Sequence, residues 1–150
     1  MIYLQGYSSL GTHIADAWVA VKFLTAANAQ QDLEMTLRDI IETLKLERLT
    51  PELGDDGVAV SGGYISDLLS DVMANAPRGG ALVTIQVHLN VIAVAVHSEL
   101  AGVVFAAGRR PDEAVRKKAV DEGVRLYATG ENAFDVAGRL YEMGLRGSEQ

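Results

Sequence analysis

The sequence predicts an α/β fold, a single domain built on a mostly parallel sheet with helices on both faces, with an N-terminal helical extension. Three observations carry this expectation. From about residue 36 onward, short apolar runs alternate with amphipathic stretches of helical period. The stretch Ser61-Gly62-Gly63-Tyr64-Ile65-Ser66-Asp67 joins an apolar run to a helical pattern through a glycine pair. Between two further apolar runs, His88 to Ala101 supplies the dozen or so residues that a crossover between parallel strands requires.

Taken in order, the elements follow from local chemistry. An amphipathic helix is expected from about Thr12 to Ala27, within residues 1–35, which read as an N-terminal extension or as a leader foreign to the domain. Thr36 can cap a helix that carries Leu37, Ile40, Ile41 and Leu44 on one face. Pro51 and Gly54-Asp55-Asp56-Gly57 form a loop, and Val58-Ala59-Val60 reads as a strand leading into the glycine pair. Ser66 is placed to cap a helix opened by Asp67, with Leu68, Leu69, Val72, Met73 and Ala76 facing the core. Pro77-Arg78-Gly79-Gly80 breaks the chain before a buried strand from Ala81 to Ile85. The β-branched run Val91 to Val96 has strand propensity, but the crossover argument makes residues 89–101 a buried helix. Strands are expected at Gly102 to Ala106 and Val124 to Ala128. The helix between them has Pro111, Asp112 and Glu113 at its start and Gly123 past its end. A last helix opens at Asn132, is expected to bury Phe134, Ala137, Leu140 and Tyr141, and stops at Gly144.

Composition narrows the function classes. The chain has 150 residues, 49% hydrophobic and 22% charged, which suits one globular domain with a full core. Its formal charge of −7 argues against nucleic-acid grooves and anionic membrane surfaces as partners, because both reward clustered Lys and Arg. With no cysteine, thiolate metal sites, disulfides and cysteine nucleophiles are excluded. No apolar run approaches the roughly 18 residues of a membrane-spanning helix. Ala27-Asn28-Ala29 resembles a signal-peptide cleavage site, but no basic residue precedes the apolar stretch before it.

From Thr36 to Leu145 the chain resembles the DRTGG domain family, a small α/β module similar in fold to the N-terminal domain of HPr kinase. The residues that carry the resemblance are Gly62 through Ala76, then Thr84-Ile85-Gln86, His88, Asn90 through Ala95, and Phe134 through Glu142. The pattern is similar to a stand-alone branch associated with iron hydrogenase and related electron-transfer operons. Two departures stand out. Val87-His88 occupies the place of the family's Asp-Arg, and Ala106-Ala107-Gly108 that of its Thr-Gly-Gly.

In a parallel sheet the residues after each strand gather along one edge. The expected ligand-binding set is therefore Gly62, Gly63, Gln86, His88, Asn90 and Arg109. The glycines allow close backbone approach, Gln86 and Asn90 both donate and accept, His88 donates an N–H, and Arg109 can fork onto a phosphate or carboxylate. Against this stands a plainer reading, in which Gly62-Gly63 is a tight packing joint and Gln86, His88 and Asn90 form a hydrogen-bonded helix cap. No catalytic residues are expected, since neither Gly-Lys-Ser, Gly-x-Ser-x-Gly nor Gly-x-Gly-x-x-Gly occurs. No cofactor and no metal are expected, since the nine-residue gap between His88 and His97 sets them on opposite faces of one helix more often than together and no third ligand is close in sequence. The functional expectation is a cytoplasmic, non-catalytic regulatory domain that forms a homodimer and senses an adenine nucleotide or similar anion. The alternatives are a docking module for an electron-transfer enzyme of hydrogenase type and, more remotely, a small enzyme.

Overall fold

The computed structural model describes residues 14–22 and 34–148. The chain divides into two compact units, Met1–Glu34 and Met35–Gln150. In the first, residues 14–22 are helical and expose Ile14, Trp18, Val19 and Val21. The remainder of the helix expected from Thr12 to Ala27 lies outside the described residues. No described helix is long and apolar enough to cross a membrane.

The second unit is an α/β sandwich. Its elements run α1 (Leu37–Leu44), β1 (Glu47–Arg48), a short 3-10 turn (Pro51–Leu53), β2 (Gly63–Ile65), α2 (Leu69–Asn75), β3 (Ala81–Thr84), α3 (Asn90–His97), β4 (Gly102–Phe105), α4 (Glu113–Glu122), β5 (Leu126–Ala128) and α5 (Ala133–Glu142). The sheet order is β1-β5-β4-β3-β2. Strands β2 to β5 are parallel, and β1 pairs antiparallel with β5. Alternation along each strand divides the core. Ala81, Val83, Val104 and Tyr127 face Leu37, Ile40, Ile41, Leu44, Val136 and Leu140 from α1 and α5. Leu82, Val103, Phe105 and Leu126 face Val72, Val91, Ile92, Val115 and Ala119 from α2, α3 and α4. Helices thus cover both faces, as the sequence predicts.

Several local expectations hold for the reasons given. Thr36 and Asp39 form a reciprocal capping box, with Thr36 Oγ accepting from the Asp39 N–H and the Asp39 carboxylate accepting from the Thr36 N–H at 2.8 Å. Lys45 ends the helix in the left-handed conformation at φ 53°. The β-branched run forms α3 because β3 and β4 lie side by side and parallel, so the chain between them must cross over. Asp112 caps α4, Asn132 caps α5, and Gly123 ends α4 with φ 72°.

Four expectations need correction. Val58 to Val60 is no sheet strand; its backbone serves the approach to α1, where Val58 C=O accepts from Leu37 and the Val60 N–H donates to Met35. Only Ala59 bridges, to Thr36. The edge strand is instead Gly63–Ile65, so the glycine pair opens a strand and does not leave one. Helix α2 starts at Leu69, because the residues expected to start it are committed elsewhere. The Ser66 N–H extends the pairing to Val83 C=O, and the Asp67 carboxylate accepts from Thr84 Oγ and the Ile85 N–H at 2.9 and 2.8 Å. Leu68 and Met73 are consequently exposed, and Val72 is the residue of α2 that is fully buried. In α5 the buried residues are Val136 and Leu140, whereas Phe134 is 85% and Tyr141 61% exposed. Finally, β1 is a two-residue strand of exposed Glu and Arg, with no apolar pattern to announce it.

Candidate functional site

The carboxyl ends of β2 to β5 lie along one edge of the sheet and lead into Ser66-Asp67, Ile85 to His88, Ala106 to Arg110 and Thr129 to Glu131. Gly62 and Gly63 do not belong to this edge, because they stand at the opposite end of β2. There the Gly62 C=O accepts from Ala81 and the Gly63 N–H donates to the Arg146 C=O at 2.8 Å. A Cβ on Gly62 would lie 2.9 Å from that same Arg146 oxygen, and one on Gly63 would lie 3.2 Å from Leu145. The pair is a packing joint between β2 and the segment after α5. Gly62→Ala should therefore cost about 1–3 kcal/mol, measured as a lower urea midpoint at unchanged m-value.

The structure does bring Gln86, His88 and Asn90 together, in a chain of hydrogen bonds that climbs from the end of β3 to the start of α3. Each backbone N–H donates to the side chain two residues earlier. Gln86 donates to Thr84 Oγ at 3.0 Å, His88 to Gln86 Oε1 at 3.1 Å, and Asn90 to His88 Nδ1 at 3.2 Å. Thr84 passes the chain on by donating its hydroxyl proton to Asp67. This ladder holds the backbone in successive turns and leads into α3. It also fixes the His88 tautomer, since an accepting Nδ1 leaves the proton on Nε2. Gln86 and His88, with Val87 and Leu89, line a hollow of about 430 Å³ whose other wall is Asp112, Ala114 and Val115 of the α4 entry.

Arg109 follows β4 in an abrupt turn, with Ala107 at φ 55° and Gly108 at φ 67°. That conformation is costly for Ala107 and is held by two bonds across to the next loop, from Ala107 N–H to Glu131 C=O and from Gly108 N–H to Thr129 C=O. The Arg109 side chain is exposed and forms no ion pair with a described residue. Its neighbour Arg110 differs, forking onto both carboxylate oxygens of Glu47. That hydrogen bond holds the Glu47 carboxyl below its ordinary range.

A second hollow, about 250 Å³, opens beside this ion pair and is lined by Lys45, Glu47, Gly108, Arg110, Ala128, Thr129 and Gly130. Lys45 forms no ion pair among the described residues. Added side chains at Gly108 and Gly130 would meet nothing within 4 Å, so the backbone is open to approach. Sequence reasoning missed Lys45, Thr84, Asp67 and Arg110. Thr84 carries a signal as the last residue of a buried strand, whereas Lys45 stands just before β1 and Arg110 is held by Glu47 within it, and β1 has no sequence signature. Among the described residues no group of three His, Asp or Glu side chains could hold a metal ion.

No protein-family model matches the chain, and no curated protein matches it. Among solved structures, the fold is similar to the CBS and DRTGG domains of the regulatory region of Clostridium perfringens pyrophosphatase, in complex with the activator diadenosine tetraphosphate. The TM-score is 0.59 at 13% identity, covering 74% of this chain and 47% of that one. This chain thus spans about half of that regulatory region. The likeness is one of fold.

Proposed function

We propose that the protein is a non-catalytic regulatory domain that self-associates and senses an anionic small molecule, an adenine nucleotide foremost, along the carboxyl edge of its sheet. One observation carries the reading. Among the described residues Arg109 and Lys45 are cations without ion partners at this edge, which also carries open glycines and a ladder whose outer groups, His88 Nε2 and the Asn90 side chain, are left to meet a ligand. Phosphates suit such a set, with a guanidinium to fork, an ammonium to supply point charge and an imidazole N–H to donate.

The likeness in fold to a regulatory region complexed with an adenine dinucleotide supports the choice of ligand class. Among the described residues His88 caps α3 through Nδ1, and Thr84 and Thr129 accept from backbone N–H groups, which favours a binding role for this edge. Gly62 and Gly63 take no part in ligand contact here. They hold the far end of β2.

A ligand bound only by the folded chain stabilises it by RT ln(1 + [L]/Kd), about 2.7 kcal/mol at a hundredfold excess over Kd. A thermal-shift screen of nucleoside mono-, di- and triphosphates and diadenosine tetraphosphate should show a rise in Tm with at least one of them. Silence across the series at millimolar concentration would leave the docking module for an electron-transfer enzyme as the better reading.

A further inference from the structure

The outer face of α5 has a composition that the described residues do not explain. Val136 and Leu140 fill the core, and the opposite stripe, at the i, i+4, i+7 spacing of one helix face, is Phe134, Gly138 and Tyr141. Phe134 is 85% and Tyr141 61% exposed. Gly138 is exposed too, and a Cβ built on it would meet nothing within 4 Å. A glycine in mid-helix costs about 1 kcal/mol relative to alanine, and no neighbour within the described chain requires it. A small residue between two uncovered aromatics is what a helix needs where another helix crosses it closely.

Resting on the self-association proposed above, we infer that α5 is the dimer surface and that two copies cross at Gly138 with their α5 helices parallel. Phe134, Tyr141 and the half-exposed Ile65, which borders the same groove as Tyr141, offer about 400 Å² of apolar surface. That is about half of the ~800 Å² per partner that a stable interface buries.

Charge selects both the occupant and its direction. Asp135 and Glu142 lie on one flank of the stripe. On the other lies Arg146, its guanidinium 3.8 Å from the centroid of the Tyr141 ring and bonded, among the described residues, only to the backbone oxygens of Tyr141 and Leu145. A two-fold axis parallel to α5 brings opposite flanks together at equal height. It sets Glu142 of each copy against Arg146 of the other, forming two symmetric ion pairs. An antiparallel crossing would instead place Asp135 against Glu142 of the second copy, carboxylate against carboxylate.

Sedimentation equilibrium on the full chain tests this. The wild type should be a dimer at micromolar concentration. Gly138→Gln, which has room in the isolated chain and improves helix propensity, should raise the dimer Kd at least about tenfold with an unchanged circular dichroism spectrum. Glu142→Arg should also weaken the dimer, and adding Arg146→Glu should restore it. A wild type that is monomeric at far higher concentration would overturn both this surface and self-association itself. A dimer that survives Gly138→Gln would overturn the surface alone, and failure of the charge swap to restore association would overturn the parallel arrangement.

Discussion

Replacing Asp56 by Ala should destabilise the protein by about 3 kcal/mol without changing its fold. Asp56 is 7% exposed, although it comes from the most polar loop in the chain. Its two oxygens accept from Tyr127 Oη at 2.6 Å and Arg48 Nε at 2.5 Å, so one carboxylate ties the loop after the 3-10 turn to β5 and β1. Truncation leaves the buried Tyr127 hydroxyl without its acceptor.

Burial by itself would raise the Asp56 pKa, but the hydrogen bonds from Tyr127 and Arg48 together outweigh it and hold the carboxyl below its ordinary range. The sign follows directly. A carboxylate with a depressed pKa in the folded state contributes stability that is fully present above the unfolded value, near 3.9, and is lost as pH falls through the lower folded value. Urea denaturation below about pH 4 should therefore show the wild type losing stability more steeply than Asp56→Asn. Equal slopes would mean that the pair contributes nothing. Tyr127 runs the opposite way. Burial, followed by the Asp56 hydrogen bond, raises its pKa, so its contribution is present below about pH 10 and is lost only as the solution becomes more alkaline.

The largest single loss should come from Phe105→Ala, at about 3–5 kcal/mol and a fall in Tm of roughly 10 °C. Phe105 is fully buried in the central strand β4, where it packs in one cluster with Ile92, Leu82, Val115 and Leu126. Its carbonyl accepts from the Thr129 N–H at 3.0 Å, and the next residues form the strained turn that presents Arg109. The same substitution should consequently weaken any ligand response at the edge, since the cavity lies directly beneath it. Differential scanning calorimetry checks the first effect. A loss under about 1 kcal/mol would show that β4 is not the packing centre.

These two residues also mark how far the sequence could be read. Phe105 lies in an apolar run bounded by glycines, and β3, β4 and β5 are legible in this way as apolar runs, whereas the parallel edge strand β2 is not. The crossover helix at Asn90–His97 was legible too, although its β-branched residues favour a strand, because the count of residues between two parallel strands outweighs local propensity. Asp56 was not legible. In the sequence it belongs to a Gly-Asp-Asp-Gly loop, and nothing there says that one aspartate is buried against a tyrosine 71 residues further on.

Short polar contacts likewise misdirected the start of α2. Ser66 and Asp67 look like a helix cap, but the ends of β2 and β3 claimed them first. Phe134 and Tyr141 mislead for a related reason, since aromatic residues on a helix suggest a core whatever covers them. For the site, the ladder of Gln86, His88 and Asn90 was visible as a cluster and its capping role was the plainer of the two readings. Gly62 and Gly63 stand at the end of β2 away from the expected edge, because the strand begins five residues later than the apolar run Val58 to Val60 suggests.

The most direct test of the regulatory reading is a calorimetric titration of the protein with ATP and with diadenosine tetraphosphate, in the wild type, in Arg109→Ala and in Gly62→Ala. Binding to the wild type should be saturable, and Arg109→Ala should lose at least about tenfold in affinity, 1.4 kcal/mol. Gly62→Ala, although less stable, should bind as the wild type does at a temperature where both are folded. Undiminished binding in Arg109→Ala, or binding abolished in Gly62→Ala alone, would contradict the placement of the site at the carboxyl edge of the sheet.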